Sequence, residues 1–116
     1  MIKNLWNTTE VVCGCHGEVR PTMTLKTGHR SMFYSCPKYY PEGREPGELA
    51  CVNHLSTDDF QRVLDKLSSE IEKNLVFGQS MSLTGLRFTI KTIDIKVVSH
   101  SDDKIVIEVT NKNAIR

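Results

Sequence analysis

Residues 11–21 read VVCGCHGEVRP and place two cysteines, two glycines and a histidine within a few positions of one another. The remaining cysteines are Cys36 and Cys51, so a close pair, Cys13-x-Cys15, is followed by two that arrive singly. Two thiols presented by one turn and two more returned by later segments can enclose one tetrahedral ion. What these side chains hold decides how the first half of the chain folds, because that half has little else to hold it.

The deficit shows in the composition. Residues 1–55 contain all four cysteines, all four prolines and five of the seven glycines, and few of their apolar residues recur with a regular period. Burial alone cannot offset the chain entropy of such a segment, whereas a structural zinc ion contributes about 10–16 kcal/mol in small fingers. The N-terminal MIKNLWNTTEVV has one lysine and no apolar run long enough for a signal peptide, and no stretch nears the roughly 20 apolar residues of a spanning helix. A cytoplasmic location is expected, where thiols stay reduced and clustered cysteines serve metal rather than disulfides.

Zinc binds thiolates at about 2.3 Å. The expected ligands are Cys13, Cys15, Cys36 and Cys51, with Gly14 letting the backbone curl round the ion. Cys13-x-x-His16 and Cys51-x-x-His54 also have the reach of ligand pairs, so His16 in place of Cys15, or His54 in place of another sulfur, stays open. Between the cysteines, TMTLK (22–26) and SMFYS (31–35) read as short strands joined by TGHR, a tight turn in which Gly28 is free to take positive φ. PKYYPEGREPGELA (37–50), with three prolines and two glycines, reads as a surface loop.

The stretch CGCHGEVRPTMTLKTGHRSMFYSCP (13–37) resembles the GRF-type zinc finger, an appendage of some DNA topoisomerases and DNA-repair enzymes. The resemblance runs from Cys13 to Cys51: Cys13 with Cys15 or His16, then Gly28 and Arg30, then Phe33, Tyr34, Cys36 and Pro37, with Cys51 last. It implies one zinc ion and contact with single-stranded DNA.

The second half has ordinary periodicity. Over residues 56–74, Phe60, Val63, Leu64, Leu67 and Ile71 form one buried stripe of an amphipathic helix. Ser56 or Thr57 is placed to cap it, and Asp58 and Asp59 complement the positive end of its dipole. Leu86, Phe88 and Ile90 alternate with polar residues, as do Ile93, Ile95 and Val97, and the switch from even to odd positions marks a bulge or bend near Thr92. Ile105, Ile107 and Val109 resume the alternation, and pairing Val97 with Ile105, Ile95 with Ile107 and Ile93 with Val109 gives an antiparallel hairpin with one apolar face. FGQSMSLTG (77–85) is polar enough for a connecting loop, and its serines and glycines equally suit an irregular edge. The expected fold is α+β: a zinc-stabilised β-finger over 1–55 and a helix with antiparallel strands over 56–116, packed together as one compact unit.

Charge limits the functional reading. The net charge is +1, with six basic and five acidic groups in residues 1–51 and nine of each thereafter, so the chain is no polycation. Within the finger, Lys26, Arg30 and Lys38 interleave with Tyr34 and Tyr39, the combination of cations and stacking platforms that single strands use. The expectation is a non-enzymatic zinc protein acting as a nucleic-acid-binding accessory factor, single-stranded DNA favoured. The alternative is a structural zinc module that serves as a protein-protein adaptor, which the near-neutral charge favours. No membrane contact or small-molecule substrate is expected. Adjacent Asp58 and Asp59 do not share a helix face, and His100, Asp102 and Asp103 fall in a turn, so neither group reads as catalytic.

Overall fold

In the computed structural model, which describes residues 5–28, 31–76, 83–101 and 103–112, a single helical turn α1 (Leu5–Thr8) runs into strand β1 (Thr9–Cys13). Strands β2 (Thr24–Thr27) and β3 (Met32–Ser35) follow, then two 3₁₀ turns (Pro37–Tyr39 and Pro41–Gly43) and strand β4 (His54–Ser56). Helix α2 (Thr57–Val76) leads to β5 (Arg87–Ile90), β6 (Ile93–His100) and β7 (Ile105–Asn111). The architecture is α+β, with a four-stranded sheet in the order β1-β7-β6-β5 and an antiparallel three-stranded sheet in the order β2-β3-β4.

Helix α2 forms where its apolar stripe predicts. The Asp59 N–H donates to Ser56 Oγ at 3.1 Å, which satisfies one of the free amides of the first turn. Its stripe lies in a core shared by both sheets, where the helix approaches β3, β4 and β5, and Phe60, Val63 and Leu67 are fully buried, as are Val97, Ile105, Ile107 and Val109. Trp6 and Tyr34 each meet the Phe60 ring edge to face, with centroids 4.7 and 5.0 Å away, so Phe60 joins α1 and the smaller sheet to the core. Truncating a ring so enclosed costs about 3–5 kcal/mol.

Three local expectations are corrected. The parity switch near Thr92 is no bend within one strand: Ile90 pairs with Ile93 across a two-residue turn, Lys91–Thr92, in which Lys91 takes φ 57°. The β6–β7 pairing slides by two residues, so that Ile95 faces Val109 and Val97 faces Ile107. A bulge between Val97 and Ser99 carries β6 on to His100, and the turn closes with Ser101 N–H to Lys104 O at 2.8 Å. A two-residue slide leaves every side chain on its own face, which is why the alternation alone could not detect it. Gly28 does not use positive φ. It is glycine because a Cβ there would sit 2.9 Å from Ser31 O and 3.0 Å from the Phe33 ring. The connecting loop read over 77–85 lies mostly outside the described residues.

One element is new. Strand β1 pairs parallel with β7, Val11 opposite Ile107 and Cys13 opposite Val109, so the first half of the chain supplies a strand to the second half's sheet. Residues 21–23 cover the outer edge of β1 through Cys13 N–H to Pro21 O at 2.9 Å and Met23 N–H to Val11 O at 2.8 Å. Among the described residues, no helix is long and apolar enough to cross a membrane.

Candidate metal centre

Strand β1 delivers Cys13 at its last position, fully buried. Gly14 continues the strand by donating its N–H to Val109 O at 2.9 Å, and a Cβ at this position would lie 2.6 Å from Glu108 Cγ. Only glycine therefore lets the chain pass this close to β7. Beyond it the backbone bends, Gly17 takes φ 65°, and Val19 N–H closes the turn on His16 O at 3.2 Å. Arg20 then ties this loop to β7 through an ion pair with Glu108 at 2.5 Å.

Cys36 stands directly after β3. Pro37 opens the 3₁₀ turn behind it, where a missing N–H costs nothing, and Tyr39 N–H donates to Cys36 O at 3.0 Å. The long loop then returns to the same place. Cys51 N–H donates to Lys38 O and Cys36 N–H to Asn53 O, each at 3.2 Å, so Cys36 and Cys51 are held side by side by main-chain bonds. Both thiols are fully buried.

These elements bring together Cys13, His16, Cys36 and Cys51, whose donor atoms all lie within 4.8 Å of one another. Cys13 Sγ and Cys51 Sγ are 3.8 Å apart, and Cys36 Sγ and His16 Nε2 are 3.4 Å apart. A zinc ion with sulfur at about 2.3 Å and nitrogen at about 2.0–2.1 Å needs tetrahedral edges of about 3.8 Å between sulfurs and about 3.6 Å between sulfur and nitrogen. These two pairs lie within about 0.2 Å of those edges, and the donor set of three thiols and an imidazole is one that zinc uses. His16, the alternate, thus belongs to the cluster, and Cys15 is not a member of it. The chain turns immediately after Gly14, which directs the imidazole back across the turn to Cys36. His54 is exposed, with Nδ1 3.0 Å from Val52 O, and is also outside the cluster.

The electrostatics of the bare thiols are self-opposing. Hydrogen bonding from Cys36 and, more weakly, from Asn53 draws the Cys13 thiol down to about 5 against the desolvation of its site. The same hydrogen bond with Cys13, then burial and more weakly the Cys13 charge, holds Cys36 up, while burial first and the Cys13 charge after it raise Cys51. Burial, followed by the charges of Cys13 and Cys51, pushes Cys15 up to about 12. One thiolate therefore suppresses its neighbours, and a bound dication would reverse that order by ionising every thiol that coordinates it.

Asn53 supports the centre and was not legible in the sequence. It is fully buried, and its Nδ2 donates to Cys13 Sγ at 3.0 Å and to Val109 O at 2.8 Å. Its Oδ1 accepts from Asn111 N–H at 3.2 Å and from Asn111 Nδ2 at 2.6 Å. One amide thus holds a ligand sulfur and the end of β7 together, the kind of outer contact that orients metal ligands. An asparagine two residues after a cysteine is a weak signal, and only the fold gives it meaning.

The residues expected to contact nucleic acid do not form one groove. Tyr34 turns inward onto Phe60, where burial raises its phenol, and Lys38 Nζ is engaged by Glu48 at 2.9 Å. Arg30 lies outside the described residues. Lys26 is exposed on β2 with Nζ 5.1 Å from the centroid of the Tyr40 ring, and Tyr39, 48% exposed, meets Tyr40 edge to face at 5.1 Å. Lys26, Tyr39 and Tyr40 form a small cationic and aromatic patch. Comparison of the chain with protein-family models, curated proteins and solved structures finds no match.

Proposed function

We propose that this chain is a non-enzymatic zinc-binding module whose single ion is structural, and that it acts as an accessory factor that contacts nucleic acid, single strands in preference to duplex. The observation that carries the metal reading is the convergence of the donor atoms of Cys13, His16, Cys36 and Cys51 within 4.8 Å of one another. Four protein donors leave no coordination position for a reactive water, which argues for a structural ion. The patch of Lys26, Tyr39 and Tyr40 supports the nucleic-acid reading, since an exposed tyrosine such as Tyr39 stacks on any base and a nearby ammonium meets the phosphate.

Native mass spectrometry before and after chelation tests the first part: one zinc per chain is expected, and its removal is expected to broaden the folded charge-state envelope. Titration with a short single-stranded oligonucleotide at two salt concentrations tests the second. Stacking is worth roughly 1–3 kcal/mol per base, so Tyr39→Ala should weaken binding at least about fivefold. No binding by the zinc-loaded protein at low salt refutes the nucleic-acid reading. The adaptor reading is favoured by Leu25 and Met32, which are 43% and 41% exposed on the hairpin of β2 and β3. Recovery of a protein partner that survives nuclease treatment, with no oligonucleotide binding, decides for it.

A further inference from the structure

The outer face of the larger sheet carries a charge pattern that neither the metal centre nor the tyrosine patch uses. On β5, β6 and β7 the apolar residues turn to the core, which leaves Arg87, Thr89, Asp94, Lys96, Glu108 and Thr110 together on the opposite face. These six line a cavity of about 490 Å³. The register fixes their order: Arg87 lies directly opposite Lys96, and Lys96 directly opposite Glu108, while Thr89, Asp94 and Thr110 form the next row. Side chains so opposed have Cβ atoms about 4.5–5.5 Å apart, and two like charges there repel. Glu108 is the carboxylate that the register offers Lys96, but it pairs with Arg20 instead. Among the described residues neither Arg87 nor Lys96 has an ion-pair partner, and Asp94 pairs with neither.

We propose that Arg87 and Lys96 form a phosphate-binding pair, and that this face of the sheet carries the backbone of a bound single strand. The proposal rests on the nucleic-acid reading above and adds a second contact surface to the patch of Lys26, Tyr39 and Tyr40. A phosphodiester placed between the two cations cancels their repulsion. The guanidinium donates two parallel N–H bonds to the phosphate oxygens, and the ammonium supplies a compact charge beside it. The Thr89 and Thr110 hydroxyls stand in the adjoining row, as further donors to phosphate or sugar oxygens. Asp94 and Glu108 keep the face from becoming a broad polycation, which confines the phosphate to the Arg87 and Lys96 row. A local site of this kind is what a chain of net charge +1 requires if it is to hold a polyanion at all.

The probe is a single-stranded oligodeoxythymidine, titrated into the zinc-loaded full chain over a series of salt concentrations. Each phosphate contact contributes about 0.7 to the slope of log K against log salt. The double variant Arg87→Gln with Lys96→Gln should lower that slope by at least about 0.7, and so weaken binding at least about fivefold at about 0.1 M salt. Lys66→Gln with Lys73→Gln removes the same two charges from the solvent side of α2, where both lysines pair with Glu70, and should leave slope and affinity unchanged. Without oligonucleotide, the thermal midpoint of the sheet variant should hold or rise, because a repulsion is removed; a fall shows that the pair stabilises the fold through other contacts and overturns the proposal. A sheet variant with the wild-type slope and affinity also overturns it, and leaves standing the nucleic-acid reading, which Tyr39→Ala tests separately. Equal losses in the sheet and helix variants mean bulk charge alone and overturn it as well. No binding by the wild-type protein takes down both.

Discussion

Replacing Asn53 with alanine removes four hydrogen bonds at the point where the metal centre meets the larger sheet. Lost are the Nδ2 bonds to Cys13 Sγ and Val109 O, and the Oδ1 bonds from the main chain and side chain of Asn111. Each bond contributes about 0.5–1.5 kcal/mol net, and a partner left buried without a replacement costs toward the upper end of that range. The variant should therefore be about 3–4 kcal/mol less stable. At an ordinary urea dependence of about 1–2 kcal/mol per molar, its midpoint should fall by roughly 1.5–4 M. Loss of the bond to a ligand sulfur should weaken zinc binding about 10–100-fold. Urea titration of the zinc-loaded protein reads the first effect, and competition with a chromogenic chelator reads the second. Asn53→Asp separates the two contributions. It keeps an acceptor for Asn111 but sets a carboxylate against the Cys13 thiolate, so it should lose zinc more readily than Asn53→Ala. Stability within 1 kcal/mol of wild type together with unchanged zinc affinity would refute the reasoning, because the fully buried amide would then be a bystander.

Two further outcomes follow from neighbouring contacts. Gly14→Ala should destabilise the fold by about 1–3 kcal/mol, since the added Cβ meets Thr110 and Glu108 on β7 and Glu108 is already held by Arg20; thermal unfolding measures it, and an unchanged Tm would show that β7 yields easily. Asp59 is buried at the start of α2, where desolvation acts to raise its carboxyl but hydrogen bonds from Lys91 and Arg62, with the Lys91 charge, outweigh it and hold the group below its ordinary value. A lowered folded-state pKa stabilises fully above the unfolded value of about 3.9 and loses that contribution as pH falls through the folded value. Asp59→Asn should thus cost about 1 kcal/mol at pH 7, because both cations are largely exposed and screened. The gap should close as pH falls below about 4, and a gap constant from pH 7 to pH 3 would refute the assignment.

The parts of this protein that the sequence discloses are those with a period. Helix α2 is legible from Phe60, Val63, Leu64 and Leu67, and the strands of the second half from their alternation, because one buried face imposes a repeat on the residues that cover it. Register is less legible, since a two-residue slide preserves every face and the bulge beyond Val97 has no compositional mark. Strand β1 is hidden for a different reason. Its sequence TEVVC is buried at Thr9, Val11, Val12 and Cys13, so it shows no alternation, and parallel pairing with a strand more than ninety residues away leaves no local turn signal. The metal centre is legible as a set of candidates. Cys36 and Cys51 arrive singly, and His54, the possible substitute for a sulfur, lies exposed and outside the cluster, whereas Cys15 and His16 compete for a place that only the bend after Gly14 assigns.

The hidden strand changes what the metal does. Had residues 1–55 formed a finger merely resting on the rest of the chain, losing the ion would release that finger and leave the helix and sheet intact. Cys13, however, is both a donor in the metal cluster and the end of a strand paired with β7, and Asn53 bonds that same sulfur and the Val109 carbonyl. The ligands on either side of the ion therefore belong to different sheets: Cys13 to the larger, and Cys36 and Cys51 to the loops that carry β3 and β4. A zinc ion bound there would cross-link the two sheets through Cys13, the ligand of the cluster that belongs to the larger one. The free energy of metal binding, about 10–16 kcal/mol in small fingers, would then be shared by both halves of the fold. Metal release should consequently expose α2 and β7 amides to hydrogen exchange together with those of β2 and β3. Protection lost from β2 and β3 alone would show that the parallel β1–β7 pairing holds without the ion, and that the two sheets are mechanically independent.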